Sequence, residues 1–167
     1  MSLVIINNMI IAAFVALLLV SALEDLDDYR IPNFISIALI ALYPFYVLTA
    51  PHEVSIGWSM VIGLVFFMIG LGLFSAGIMG GGDVKLIALT GLWVGPLGLF
   101  PFLFAMVIVG AIMSIFMLSS SLRHGSAYIC VQMGFVNAQE KILTDKLPYG
   151  VAICAGGLFA TYKMFVL

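Results

Sequence analysis

From residue 3 to residue 23 the chain carries no charge, and Asn7 and Asn8 are its strong polar interruptions. A helix needs about 20 such residues to cross a bilayer. Inside hydrocarbon only helices and closed barrels satisfy their own backbone hydrogen bonds. Further apolar runs follow at 34–50, 54–74, 84–97, 100–118 and 147–166. The pattern predicts an all-α membrane protein, a bundle of six transmembrane helices joined by short loops. Composition supports this, because 64% of the 167 residues are hydrophobic and only 8% are charged. A soluble domain carries about 25% charged residues. A water-soluble enzyme, a disordered segment and a basic nucleic-acid binder are thereby excluded, and the lipid bilayer becomes the first partner. Six spans use the whole chain, so residues 1–167 read as one membrane domain with no separate soluble domain.

The connections carry the remaining information. A signal peptide has some claim on the first run, since Val20-Ser21-Ala22 has small residues at a cleavage-like spacing. No Lys or Arg precedes that run, however, and it is long, so it reads as a retained span. Pro32 falls where the second helix starts, a place that tolerates its missing N–H. Gly95-Pro96 closes the short fourth run. Between the fifth and sixth runs, residues 119–146 include an apolar stretch at 127–136 that is too short to span and reads as interfacial or re-entrant. Of the six basic residues, Arg30, Lys85, Arg123, Lys141 and Lys146 fall in loops that share one side of a six-span chain. Only Lys163 falls near the other side. Positive charge marks the cytoplasmic face, so both termini are expected outside. The two cysteines, Cys130 and Cys154, show no metal-ligand spacing and read as packing thiols.

Carboxylates are costly near hydrocarbon and tend to be paired or functional there. One acidic group is Glu24, Asp25, Asp27 and Asp28, at the end of the first span. The other is Asp83, at the start of the fourth. Both fall on the same side, so folding can bring them together. Two converging acids hold one proton between them near neutrality, as in aspartic proteases, which suits activation of water by one and polarisation of a carbonyl by the other. Simpler roles compete. Glu24, Asp27 and Asp28 fit a solvated loop, Asp83 fits a helix N-cap, and the glycines before it fit a turn. Physical reasoning alone does not select the partner of Asp83 among residues 24–28.

The local sequence does carry a resemblance. Gly80-Gly81-Gly82-Asp83 followed by Val84-Lys85-Leu86 resembles the GxGD block of the prepilin peptidase family of bacterial membranes. The segment from Asp25 to Ile31-Pro32-Asn33 resembles that family's other block, and Pro148-Tyr149-Gly150 matches a third element at the head of the last span. Members of similar size serve Flp-type (tight-adherence) pili. The resemblance implies an aspartyl endopeptidase of the inner membrane that cleaves the short leader from type IV prepilins at the cytoplasmic side. It selects Asp25 and Asp83 as the catalytic acids, implies a prepilin substrate, and calls for no cofactor and no metal. Larger members also carry a zinc-binding insertion and N-methylate the product. No such insertion occurs here, so methyltransferase activity is not expected.

Further roles follow as expectations. Gly80 and Gly82 would accommodate the substrate backbone by permitting positive φ and close approach. Asp27 and Asp28 would attract a basic leader. The helix-end dipoles would place the shared proton on Asp25 and leave Asp83 to activate water. Lys85 reads as meeting lipid headgroups, and His52 as lying on the outer side. Gly150, Ala152, Ala155, Gly156 and Gly157 read as packing residues of the last span. A small proton-coupled transporter and a non-enzymatic pilus-assembly factor are the rival readings. A transporter would carry an ionisable residue near mid-span, whereas these acids lie at span ends. The oligomeric state is not encoded in any visible feature.

Overall fold

The computed structural model describes residues 2–28, 30–51, 53–119 and 149–165 of the chain. Among them are five helices, α1 (Ser2–Asp28), α2 (Asn33–Thr49), α3 (Ile56–Ser75), α4 (Gly81–Leu118) and α5 (Tyr149–Phe165), and no strand. Three apolar stretches, Leu3–Asp27, Ile56–Ser75 and Gly81–Phe116, are long enough to cross a membrane, and α2 is a shorter apolar helix. Their outer faces are apolar as well, with Leu48, Trp58, Leu97, Phe100 and Leu118 all exposed. Such a surface suits lipid and not water.

The described residues do not by themselves establish six separate spans: they hold five helices, of which three are long and apolar enough to cross a membrane. The expected fourth and fifth runs are two arms of α4, joined at Gly95, where φ is 55° and ψ −162°. That left-handed φ is open to glycine, and a Cβ there would stand 2.7 Å from Ser59 Oγ. Pro96 then opens the second arm, a position that tolerates its missing N–H. The backbone at Gly95 is not helical, so the two arms are separate helices that meet at a tight kink. The apolar stretch at 127–136, the basic residues Arg123, Lys141 and Lys146, together with His52 and Cys130, lie outside the described residues.

Contacts between small residues set the helix order. Gly63 and Gly70 of α3 meet Ala88 and Val84 of the first arm, so these run antiparallel. Gly98, Phe102 and Gly110 of the second arm meet Ala160, Gly156 and Ala152 of α5, also antiparallel. Gly157 of α5 touches both Leu18 of α1 and Thr90 of the first arm. The small residues of α5 therefore do what the sequence suggests: they let α1 and both arms of α4 close on one helix. Cys154 is buried in the same core as a free thiol.

Aromatic packing locks the centre. Trp93 of α4 stacks on Phe14 of α1 with ring centroids 4.4 Å apart, and on Tyr46 of α2 at 5.2 Å. Its indole N–H donates to the Leu39 carbonyl of α2 at 3.1 Å, which satisfies the one polar atom of a buried ring. One side chain thus ties together α1, α2 and α4, the helices that carry or flank the acids.

Candidate active site

The site lies where α1 ends and α4 begins. Asp25 is three residues from the last residue of α1 and only 3% exposed. Asp83 stands in the first turn of α4 and is 7% exposed. Gly80 is the N-cap, so Asp83 is a helical residue and not the cap that the simpler sequence reading allowed. Both acids line one cavity of about 220 Å³, together with Arg30, Ile31 and Gly80 to Gly82. Two residues 58 positions apart in the chain therefore line one cavity.

Their partners differ. The Gly150 backbone N–H donates to Asp25 Oδ2 at 2.7 Å. Asp83 Oδ1 is buried with no hydrogen-bond partner among the described residues. A buried carboxylate oxygen without a donor is costly.

Gly150 was read in the sequence as a packing residue alone, and its amide is the feature that reading missed. A Cβ at this position would lie 2.8 Å from Asp25 Oδ2 and 2.9 Å from Asp25 Cβ. Only a residue without a side chain lets the α5 backbone come near enough to donate. The Tyr149-Gly150 pair at the start of α5 was the available signal.

The glycines before Asp83 also act differently from the expectation. Gly80 has φ −74°, and the positive φ values among the described residues belong to Gly77 and Gly95. What matters at Gly80 and Gly82 is the missing Cβ. At Gly80 it would stand 3.0 Å from Asp83 Oδ2, and at Gly82 3.0 Å from Ile31 Cβ. Gly80 thus leaves room beside the carboxylate, while Gly82 lets the chain at Ile31 press against the first turn of α4.

Lys85 meets neither a carboxylate nor open space alone. Its ammonium donates to Asn33 Oδ1 at 2.8 Å, an exposed bond that ties the start of α2 to α4. Arg30, read from sequence only as a marker of the cytoplasmic side, also lines the cavity. Asp27 is exposed on the last turn of α1, and Asp28 closes that helix, its side chain lying outside the described residues. Among the described residues no group of three or more His, Cys, Asp or Glu side chains is placed to hold a metal ion.

A family model described as the type IV leader peptidase family matches residues 12–115. That stretch holds both acids, the turn at Ile31-Pro32-Asn33 and the glycines before Asp83. Comparison with curated proteins and with solved structures gives no match.

Proposed function

The chain belongs to the type IV leader peptidase family, and from that premise we propose that it is an aspartyl endopeptidase that removes the leader from type IV prepilins, with Flp-type precursors as its substrates. The observation that carries this reading is the pair of buried carboxylates, Asp25 and Asp83, on one cavity.

Two like charges in one small cavity do not both persist, so the pair holds one proton, which belongs to the pair as a unit. The helix ends favour Asp25 as its holder, but the Gly150 amide competes with them by donating to that same carboxylate. Because Oδ2 accepts this bond, a proton resting on Asp25 sits on Oδ1. The ionised acid takes a proton from water as the water oxygen attacks the scissile carbonyl carbon. The protonated acid gives its proton to the carbonyl oxygen, forming a tetrahedral gem-diol. On collapse the C–N bond breaks. The amine leaves with the proton first taken from water, and one hydroxyl returns its proton to the other acid. Both carboxyl groups end as they began.

Arg30 and Lys85 stand at this end of the bundle, which favours a cytoplasmic-side site in the inner membrane. Asp27 and Asp28 would then face an approaching basic leader. Replacing both with Asn is expected to raise KM several-fold at low salt with kcat little changed. The difference should shrink as ionic strength rises above physiological, where the screening length is about 8 Å. A KM that stays unchanged across salt would remove them from substrate docking.

The direct test uses the purified chain in phospholipid vesicles with a Flp-type prepilin, the products weighed by mass spectrometry. Wild type should release leader and mature pilin, and Asp25→Asn should release neither. An intact precursor with wild type, or cleavage that survives Asp25→Asn, would overturn the reading.

A further inference from the structure

The first turn of α4 is gripped on two of its faces. Positions three apart share one face of a helix. On the first face, a Cβ at Gly81 would lie 3.5 Å from the Phe74 ring, and a Cβ at Gly70 would meet Val84 Cγ1 at 3.0 Å, so α3 holds positions 81 and 84. On the next face, a Cβ at Gly82 would stand 3.0 Å from Ile31 Cβ, and Lys85 Nζ donates to Asn33 Oδ1 at 2.8 Å. Asp83 is left to the remaining face, where it lines the acid cavity.

The second grip falls on a piece of chain with no helix of its own. Residues 30–32 link α1 to α2 outside any helix, and Arg30 and Ile31 line the cavity. Pro32 is extended, with φ −61° and ψ 140°. Side chains alternate along extended backbone, so Ile31 and Asn33 turn the same way, and both meet α4. Deeper in the bundle Trp93 ties α2 to α4 through the Leu39 carbonyl. Leu39 is six residues beyond Asn33, about 9 Å along the helix. That tie fixes the body of α2. The Lys85–Asn33 bond fixes its first residue, and with it the cavity wall formed by the residues just before.

We infer that Lys85 and Asn33 are positioning residues of the proposed peptidase: their bond seats the Arg30–Ile31 wall on the first turn of α4 and so fixes Asp83 within the cavity it shares with Asp25. The inference rests on the peptidase reading above. Neither residue is among the described residues that line the acid cavity, so both act through Ile31 and the turn that carries Asp83. A reacting group displaced by about 1 Å costs about 10²-fold in rate. Slack on one face of a turn that α3 still holds gives a part of that, and kcat should fall about tenfold.

The test compares Lys85→Ala, Asn33→Ala, the double variant and Lys85→Arg in phospholipid vesicles with a Flp-type prepilin. Each Ala variant is expected to lose about tenfold in kcat with KM nearly unchanged. The melting temperature should hold, because the bond is exposed. Arginine keeps a donor at position 85 and should restore the rate. The double variant should be no slower than either single one, as two ends of one contact require. Independent, additive losses, a wild-type rate for Asn33→Ala, or rate and melting temperature falling together would each overturn the inference. A substrate-free reading follows the wall itself. In a chain with Cys130→Ser and Cys154→Ser, Ile31→Cys should react with a membrane-permeant maleimide several-fold faster once Lys85→Ala is added. If wild type cleaves the precursor while neither this labelling nor kcat responds to Lys85→Ala, the positioning role alone fails. If wild type leaves the precursor intact, the peptidase reading fails and takes the positioning role with it.

Discussion

Asp83→Asn is expected to abolish leader removal, by about 10³-fold or more, while the helical fold persists. The size follows from the role, since loss of a positioned acid or base costs on the order of 10²–10⁴ in rate. Here a single change removes one of the two groups between which every proton moves. Asparagine keeps the shape of the side chain, so the contacts of the first turn of α4 with Ile31 and Gly80 should survive. It also removes an ionisable group from beside a second buried acid, which favours an undiminished or higher melting temperature. Loss of activity with stability retained is the signature of a chemical role. Equal loss of both would mean that Asp83 holds the fold. The same split is expected for Asp25→Asn, with a smaller gain in stability, because Asp25 already accepts the Gly150 amide.

Gly150→Ala is the second change with a large expected effect. The added methyl would fall 2.8–3.0 Å from three atoms of Asp25, so α5 must withdraw from α1 or the carboxylate must turn. Either movement lengthens the amide bond to Oδ2 and displaces a reacting group by a fraction of an ångström. A misplacement near 1 Å costs about 10²-fold, and kcat/KM should fall by about that factor. Overpacking at such a site also costs about 1–3 kcal/mol of stability. Gly72→Ala on α3 provides the contrast, since nothing lies within 4 Å of a Cβ there. A helix gains about 0.5–1 kcal/mol from that exchange, and cleavage should be unaffected. Paired melting curves and rates for the two variants separate a specific contact from a general intolerance of lost glycine.

These two cases mark what the sequence revealed and what it did not. Asp25 and Asp83 were legible because charge is rare in this chain and both acids stand at span ends. The apolar runs gave α2 and α3 to within two residues, whereas α1 continues past the expected end at Leu23 to Asp28 and carries the acids at 24–28 in its last turns. Gly95-Pro96 marked a break, but the tight kink at which the two arms meet depends on a left-handed φ packed against Ser59. No run of hydropathy reports that. The Gly150 amide was signalled only by the Tyr149-Gly150 pair at the head of the last span, because a backbone N–H carries no side-chain signal. Its target is chosen by how closely α5 packs on α1, a contact across 125 residues. Gly82 was assigned to the substrate because a residue without a side chain admits close backbone approach, yet its open side is filled by Ile31 of the same chain. The Asn33–Lys85 bond likewise joins two motif residues whose meeting depends on how α2 leans on α4.

All of this depends on the two acids sharing one space, which can be measured without any substrate. In a chain with Cys130→Ser and Cys154→Ser, Asp25→Cys and Asp83→Cys are introduced together and treated in vesicles with a short bifunctional thiol reagent. Internal cross-linking in high yield is the expected result, read as a bridged peptide by mass spectrometry. If each introduced thiol reacts singly but the two are never joined, Asp25 and Asp83 do not face a common cavity, and the account is contradicted.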